Sequence, residues 1–127
     1  MNDAKWKREA LRLARGVAER SFAQSGVKDC GLCHGAAGVG HLFNRMFQAS
    51  GESRLKDAAR GWFRRTLEMR HPERGIAGFA AFRPGHWSNE VGILEGAAGI
   101  ALALLAAVTP AEPRWDRMLL LSRHMHA

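Results

Sequence analysis

The stretch Leu32-Cys33-His34-Gly35-Ala36-Ala37-Gly38-Val39 recurs later in the chain as Ile93-Leu94-Glu95-Gly96-Ala97-Ala98-Gly99-Ile100. The second copy begins 61 residues after the first, and each copy opens an apolar run. A repeat of this kind is typical of architectures in which each unit is one pair of helices. Glycine at the start of each apolar helix lets neighbouring backbones approach closely. The repeat therefore predicts a helical toroid or solenoid.

The spacing of apolar residues predicts helices along most of the chain. We expect outer, charged helices at about 3–24 and 52–69, and inner, apolar helices at about 36–49 and 97–108. The fourth segment is apolar on all sides, so we expect it to be buried. A glycine-rich connection follows the third helix over residues 73–89. No segment alternates with a period of two, so strands are not expected.

Together these segments predict one all-α unit over residues 1–127. Its outer and inner helix pairs would form part of a helical toroid or solenoid. The first repeat covers about 3–50, the second about 52–108, and a closing segment covers 113–122. The chain has 127 residues, of which 46% are hydrophobic, and this is enough for the core of a single domain.

The net charge of +7 comes mainly from arginines that are interleaved with acidic residues on the outer helices. This pattern is typical of solvated helix faces, and no long basic block is present, so we do not expect a nucleic-acid partner. The most apolar stretch, 97–108, is shorter than the roughly 18 residues that indicate a membrane span. The N-terminus shows no apolar signal region. We therefore expect a cytoplasmic protein without a membrane span.

Cys33 and His34 are the residues most able to carry chemistry, because thiolate and imidazole are both preferred zinc ligands. The second copy has Leu94 and Glu95 at the equivalent positions, so the scaffold does not require cysteine and histidine there. Cys30 stands at Cys-x-x-Cys spacing and is a candidate third ligand, although an incidental half-buried thiol is the alternative. We expect a Zn²⁺ site at Cys33 and His34.

The same residues, Cys30-Gly31-Leu32-Cys33-His34, also match the Cys-x-x-Cys-His pattern of covalent haem attachment. In that alternative His34 would be the proximal ligand, and the distal ligand would be Met46, Met69 or Met118. Haem attachment requires export, for which the sequence has no signal, and it leaves the repeat unexplained.

Three further residues are candidates for the substrate pocket. His41 follows the first motif and could approach the metal, although a core histidine with a hydrogen-bond partner is the alternative. His86 lies in the glycine-rich connection and could line the mouth of the pocket. Glu95 occupies the position equivalent to His34 and should point toward the same central space. It would act there as a substrate-facing group or as a carboxylate favoured by the helix N-terminus.

Three motifs in this order resemble the lanthionine synthetase C-like family: Gly31–Gly38, Gly92–Leu104 and Trp115–Ser122. The resemblance implies an α/α toroid with a central zinc ion. This chain would be a partial α/α toroid, an incomplete (α/α)6 barrel. It also implies cyclisation of precursor peptides, in which zinc binds a substrate cysteine thiol. The thiolate then adds to dehydroalanine or dehydrobutyrine to form a thioether. Some relatives have been discussed as proteins that bind glutathione, so a precursor peptide or another thiol is the implied partner.

The resemblance also implies residues that this sequence lacks. The family's zinc has two cysteine ligands and one histidine ligand. The second cysteine and the proton-transfer groups lie in earlier repeats, and the 32 residues before Cys33 carry no such motif. We therefore expect no catalytic residue here and no cyclisation by this chain alone. The alternative is a non-catalytic helical-repeat fragment that self-associates or pairs with a missing N-terminal half.

Overall fold

The computed structural model describes residues 3–121, and these residues are mainly helical. The described α-helices are α1 Asp3–Ala18, α2 Ala36–Ser50, α3 Ser53–Glu68 and α4 Ala97–Val108. Two short 3₁₀ helices are Phe22–Ser25 and Arg114–Leu119. The predicted inner helices and the second outer helix are confirmed to within two residues at each end. Ser122, the predicted last residue of the closing segment, lies outside the described residues.

The first helix ends earlier than predicted, at Ala18 rather than near residue 24. The chain turns at Ser21, whose backbone N–H donates to Gln24 Oε1 at 3.0 Å. Local bonds of this kind compete with a continuing helix. A separate 3₁₀ turn therefore follows, and it ends at Gly26 with a φ of 73°.

The expectation that the chain has no strands is wrong. β1 Ala81–Arg83 and β2 His86–Ser88 form an antiparallel hairpin in which Phe82 lies opposite Trp87. The two strands are joined by Pro84 and Gly85, whose φ of 85° suits glycine at a tight turn. Strands of three residues are too short to show a period-two pattern, which explains why the sequence did not reveal them.

Helix α2 lies at the centre of the molecule and packs against both α3 and α4. Two clusters of buried residues meet at α2. The cluster toward α3 consists of Ala14, Ala36, Phe43, Leu55, Ala59 and Trp62. The cluster toward α4 consists of Cys30, Leu32, Ala37, Ile100 and Ala103. Because Ala36 and Ala37 are adjacent and both fully buried, the N-terminal end of α2 is held on two sides at once.

Helix α4 is not buried on all sides, which corrects the prediction from its composition. Ile100 and Ala103 are buried against α2, whereas Leu105 is 55% exposed and Val108 is 80% exposed. The helix therefore uses only one side of its apolar surface in contacts among the described residues. None of the helices in residues 3–121 combines the length and the hydrophobicity needed to cross a membrane.

Candidate metal site at the turn before α2

The two copies of the repeated motif fold into the same turn, called here the first turn (residues 29–38) and the second turn (residues 90–99). Backbone hydrogen bonds at equivalent positions define both. In the first turn they are Gly35 N–H to Gly31 O at 3.0 Å and Ala36 N–H to Asp29 O at 2.9 Å. In the second turn they are Gly96 N–H to Gly92 O at 3.1 Å and Ala97 N–H to Glu90 O at 3.0 Å. The turn is therefore a property of the repeated glycines and alanines.

The last glycine of each motif is required by the close approach of a backbone carbonyl. A Cβ atom on Gly38 would lie 1.9 Å from Leu32 O, and one on Gly99 would lie 1.7 Å from Ile93 O. No side chain can occupy these positions without opening the turn. This contact gives the physical reason for the Gly-Ala-Ala-Gly element.

The first turn and the second turn are joined directly. The Cys33 N–H donates to Leu94 O at 2.8 Å. The backbone of the candidate zinc ligand is thus fixed by the equivalent residue of the second copy. As a result, Cys33 and His34 lie close to Leu94 and Glu95 on the molecular surface.

The side chains of Cys33 and His34 are both exposed and line a cleft of about 270 Å³. Apolar side chains form most of the rest of the cleft, among them Leu42, Leu94 and Leu119. A thiol and an imidazole therefore line the same cleft, beside an apolar wall. Both side chains are accessible to a metal ion from solvent.

Cys30 is placed differently from Cys33. It is 3% exposed, and its Sγ donates to Thr66 O at 3.5 Å. Burial, with a smaller effect of the Asp29 charge, raises the pKa of the Cys30 thiol to about 12. Zinc is bound by thiolate, so this environment does not prepare Cys30 as a ligand. Within residues 3–121 no group of three His, Cys, Asp or Glu side chains is arranged to hold a metal ion.

The different positions of the two cysteines also bear on the haem hypothesis. Covalent attachment through Cys-x-x-Cys-His joins both thiols to one porphyrin. Here Cys33 is at the surface, whereas Cys30 is buried against Thr66. The structure therefore does not favour haem attachment.

Glu95 is held by Arg83 of strand β1. Arg83 Nη1 donates to Glu95 Oε1 at 3.0 Å, and Arg83 Nη2 contacts the other carboxylate oxygen. These hydrogen bonds lower the pKa of Glu95, and the charge of nearby His34 adds a smaller effect in the same direction. Glu95 is thus an ionised group close to His34, with Arg83 as its main partner.

His41 lies in the core. It is fully buried, and its Nε2 is 3.2 Å from Asp116 Oδ2. Its ring lies against Trp115 with centroids 4.7 Å apart, and Arg45 Nε is 2.9 Å from the same Asp116 oxygen. Burial lowers the pKa of His41, although the Asp116 carboxylate opposes this effect. His41 therefore connects α2 to the closing segment and does not line the cleft.

His86 is exposed on strand β2, directly opposite Arg83 in the hairpin register. The hairpin places Arg83 within hydrogen-bond distance of Glu95, and Glu95 lies close to His34. The role of His86 in a pocket stays a prediction.

Asp29 was not identified from the sequence, although it is central to the first turn. It is 2% exposed, and its Oδ1 accepts the Gly31 N–H at 3.0 Å. Its Oδ2 accepts the Phe82 N–H of strand β1 at 2.9 Å. The sequence contains one signal that could have identified Asp29. Another acidic residue, Glu90, stands at the equivalent position before the second motif.

The model of the family described as lanthionine synthetase C-like protein matches residues 1–120. No curated protein and no solved structure matches the chain. The family match covers nearly the whole sequence and includes both turns and the hairpin between them. The chain therefore belongs to the lanthionine synthetase C-like family.

Proposed function

We propose that the chain supplies Cys33 and His34 as two ligands of a zinc site of the lanthionine synthetase C-like type. One observation carries this proposal. The first and second turns have the same backbone hydrogen bonds, although Leu94 and Glu95 replace cysteine and histidine in the second. Since the turn forms without them, folding does not explain why an exposed thiol and an exposed imidazole stand side by side in the first turn.

The residues around the pair support a metal site. Cys33 lies just before the N-terminal end of α2 and lines the same cleft as His34. Glu95 carries a negative charge close to His34, and Arg83 holds it in place. When bound, zinc would lower the pKa of a substrate thiol in the way it lowers the pKa of bound water. No group of three candidate ligands is present among residues 3–121, so a complete site would need a further ligand besides Cys33 and His34.

We further propose that the helix pairs are part of an α/α toroid, with the first turn near its centre. The third zinc ligand and the proton-transfer groups would then come from residues outside this chain. The expected substrate is a thiol, that of a precursor peptide in the cyclases of the family, and the expected compartment is the cytoplasm. Cyclisation by this chain alone is not expected.

The experiment is a Co²⁺ titration that follows the sulfur-to-metal charge-transfer band, together with the zinc content of the purified chain. We expect a band that disappears in Cys33→Ala and weakens in His34→Ala. Leu94→Ala is the matched control, because it alters the equivalent residue of the second turn and should keep the band. A folded wild-type protein that binds neither Co²⁺ nor Zn²⁺ would refute the proposal.

The Cys30→Ala variant tests the candidate third ligand separately. The buried position of Cys30 predicts that the charge-transfer band persists in this variant. Loss of the band in Cys30→Ala, with an unchanged circular dichroism spectrum, would show that Cys30 leaves the core to bind the metal.

A second candidate function is that of a non-catalytic interaction fragment. The observation that favours it is the exposed apolar surface on α1 and α4. Absence of metal binding together with stable self-association would support this alternative over the zinc site.

A further inference from the structure

Helix α1 carries a line of exposed apolar residues that borders the side of the helix holding its buried residue Ala14. This α1 stripe consists of Trp6, Ala10, Leu13 and Val17. Trp6 is 64% exposed, Leu13 54% and Val17 43%. Apolar side chains at this spacing form one continuous face of a helix. In the described part of the molecule, this face has no covering helix.

The same spacing occurs in α3, where it is buried. The corresponding residues, each 49 positions later, are Leu55, Ala59, Trp62 and Thr66. All four are buried, and Leu55, Ala59 and Trp62 share a core cluster with Ala36 and Phe43 of α2. The offset of 49 residues between α1 and α3 is smaller than the offset of 61 residues between the two turns, because the connection between α3 and α4 contains the hairpin. The α1 stripe is therefore the exposed counterpart of the surface that α3 packs on α2.

The other side of the interface between α3 and α2 is formed by α2, and helix α4 carries the counterpart of that side. The α2 residues toward α3 are Ala36, Gly40, Phe43 and Phe47, and a Cβ atom on Gly40 would lie 3.1 Å from the Phe63 ring of α3. The residues 61 positions later define the α4 face: Ala97, Ala101, Leu104 and Val108. Ala101 and Val108 are exposed, and the other two are half-buried. Within residues 3–121 the α1 stripe is exposed, and the α4 face is only partly covered, since Leu104 packs against the cluster toward α4.

We propose that the α1 stripe of one copy of this chain packs on the α4 face of a second copy, so that copies associate head to tail. The contact would repeat between chains the interface that α3 and α2 form within one chain, which is the most extensive helix pair in the structure. A second copy is the occupant that the structure favours, because one chain carries both complementary halves, the α1 stripe and the α4 face. Such a heterologous contact yields a closed ring or an open chain of copies. This inference does not depend on zinc binding.

The test uses sedimentation and light scattering of the full chain with one charge placed on each surface. Wild type should associate with increasing concentration. Leu13→Asp on the α1 stripe and Val108→Asp on the α4 face should each give a monomer of 14.0 kDa. Leu67→Asp is the matched control, since Leu67 is 56% exposed on α3 and belongs to neither surface. It should associate like wild type.

Mixing the two variants tests whether the α1 stripe of one copy contacts the α4 face of another. The Leu13→Asp chain keeps an intact α4 face, and the Val108→Asp chain keeps an intact α1 stripe. An equimolar mixture should therefore form a 1:1 dimer and nothing larger. If Leu13→Asp loses its helical circular dichroism, Trp6→Glu near the start of α1 replaces it.

Three results would overturn the proposal. The first is a wild-type chain that stays monomeric at every concentration, which would leave both surfaces to some other occupant. The second is association that Val108→Asp abolishes and both α1 variants leave intact, which indicates a symmetric contact between α4 helices. The third is a mixture of folded variants that remains monomeric.

Discussion

At the scale of single residues, one buried carboxylate joins the first turn to the hairpin. Asp29 accepts hydrogen bonds from the backbone N–H groups of Gly31 and Phe82. Both bonds are charge-assisted, and such bonds are about twice as strong as neutral ones. The position of Cys33 and His34 relative to Arg83 and Glu95 thus depends on a residue that is not itself a candidate ligand.

We predict that Asp29→Ala lowers the free energy of unfolding by about 3 kcal/mol, because it leaves two backbone donors without their acceptor. Urea denaturation measures the change. Asp57→Ala removes an exposed carboxylate from α3 and should change the free energy of unfolding by no more than about 0.5 kcal/mol. Equal effects of the two substitutions would show that the Asp29 bonds do not stabilise the turn.

The sequence predicted the exposed residues of the turn more readily than the buried ones that hold it. Cys33 and His34 are recognisable because their chemistry is distinctive and the second copy lacks them. Asp29 and Asp116 are single carboxylates outside the α-helices, and such residues follow no periodic pattern. Their partners Phe82 and His41 lie 53 and 75 residues away in sequence. Only a structure brings these pairs together.

At the scale of elements, the last glycine of each motif lets the start of the helix lie against a backbone carbonyl oxygen of the same turn. We predict that Gly38→Ala and Gly99→Ala each destabilise the protein by about 2–3 kcal/mol, since the added methyl group overlaps a carbonyl oxygen in both turns. Thermal unfolding is the measurement. The control is Gly16→Ala in α1, where the methyl group meets nothing within 4 Å and should be neutral or stabilising by up to about 1 kcal/mol. Similar melting temperatures for all three variants would contradict this prediction.

The bounds of α2, α3 and α4 were predictable because glycine or proline stands near their ends. The end of α1 was not, since its apolar spacing continues to Phe22 while the local bonds of Ser21 stop the helix. The burial of α4 was also predicted incorrectly. Composition shows that α4 is apolar on all sides. How much of that surface is buried depends on which other helices pack against it, and composition does not give this.

At the scale of the whole molecule, the closing segment is attached through a buried polar contact. Asp116 bonds both His41 and Arg45 of α2. The pKa of His41 in the folded protein lies below its ordinary value of 6.5, mainly because the ring is buried. Between pH 6.5 and the lower pKa of His41 in the folded protein, His41 binds a proton in the unfolded chain but not in the folded chain. The free energy of unfolding therefore decreases as the pH falls through 6.5.

We predict that this pH dependence is much reduced in His41→Gln, which removes the titrating ring and keeps a donor toward Asp116. Urea unfolding between about pH 5 and pH 7 gives the slope. His71→Gln, which changes an exposed histidine, should keep the slope of the wild-type protein. A slope that is the same in wild type and in His41→Gln would show that other groups account for it.

The hydrogen bond from Cys33 to Leu94 has a consequence for the synthesis of the protein. Its donor leaves the ribosome 61 residues before its acceptor, which at the usual rates of translation is a delay of about 3–12 s. In the later part of that interval, once Glu68 has emerged, α2 has α3 as a partner but not α4, and Leu32 and Ala37 have no cover from α4. The nascent chain is therefore at its most vulnerable to aggregation after α3 has emerged, and a chaperone that recognises apolar helices would act on it in this interval.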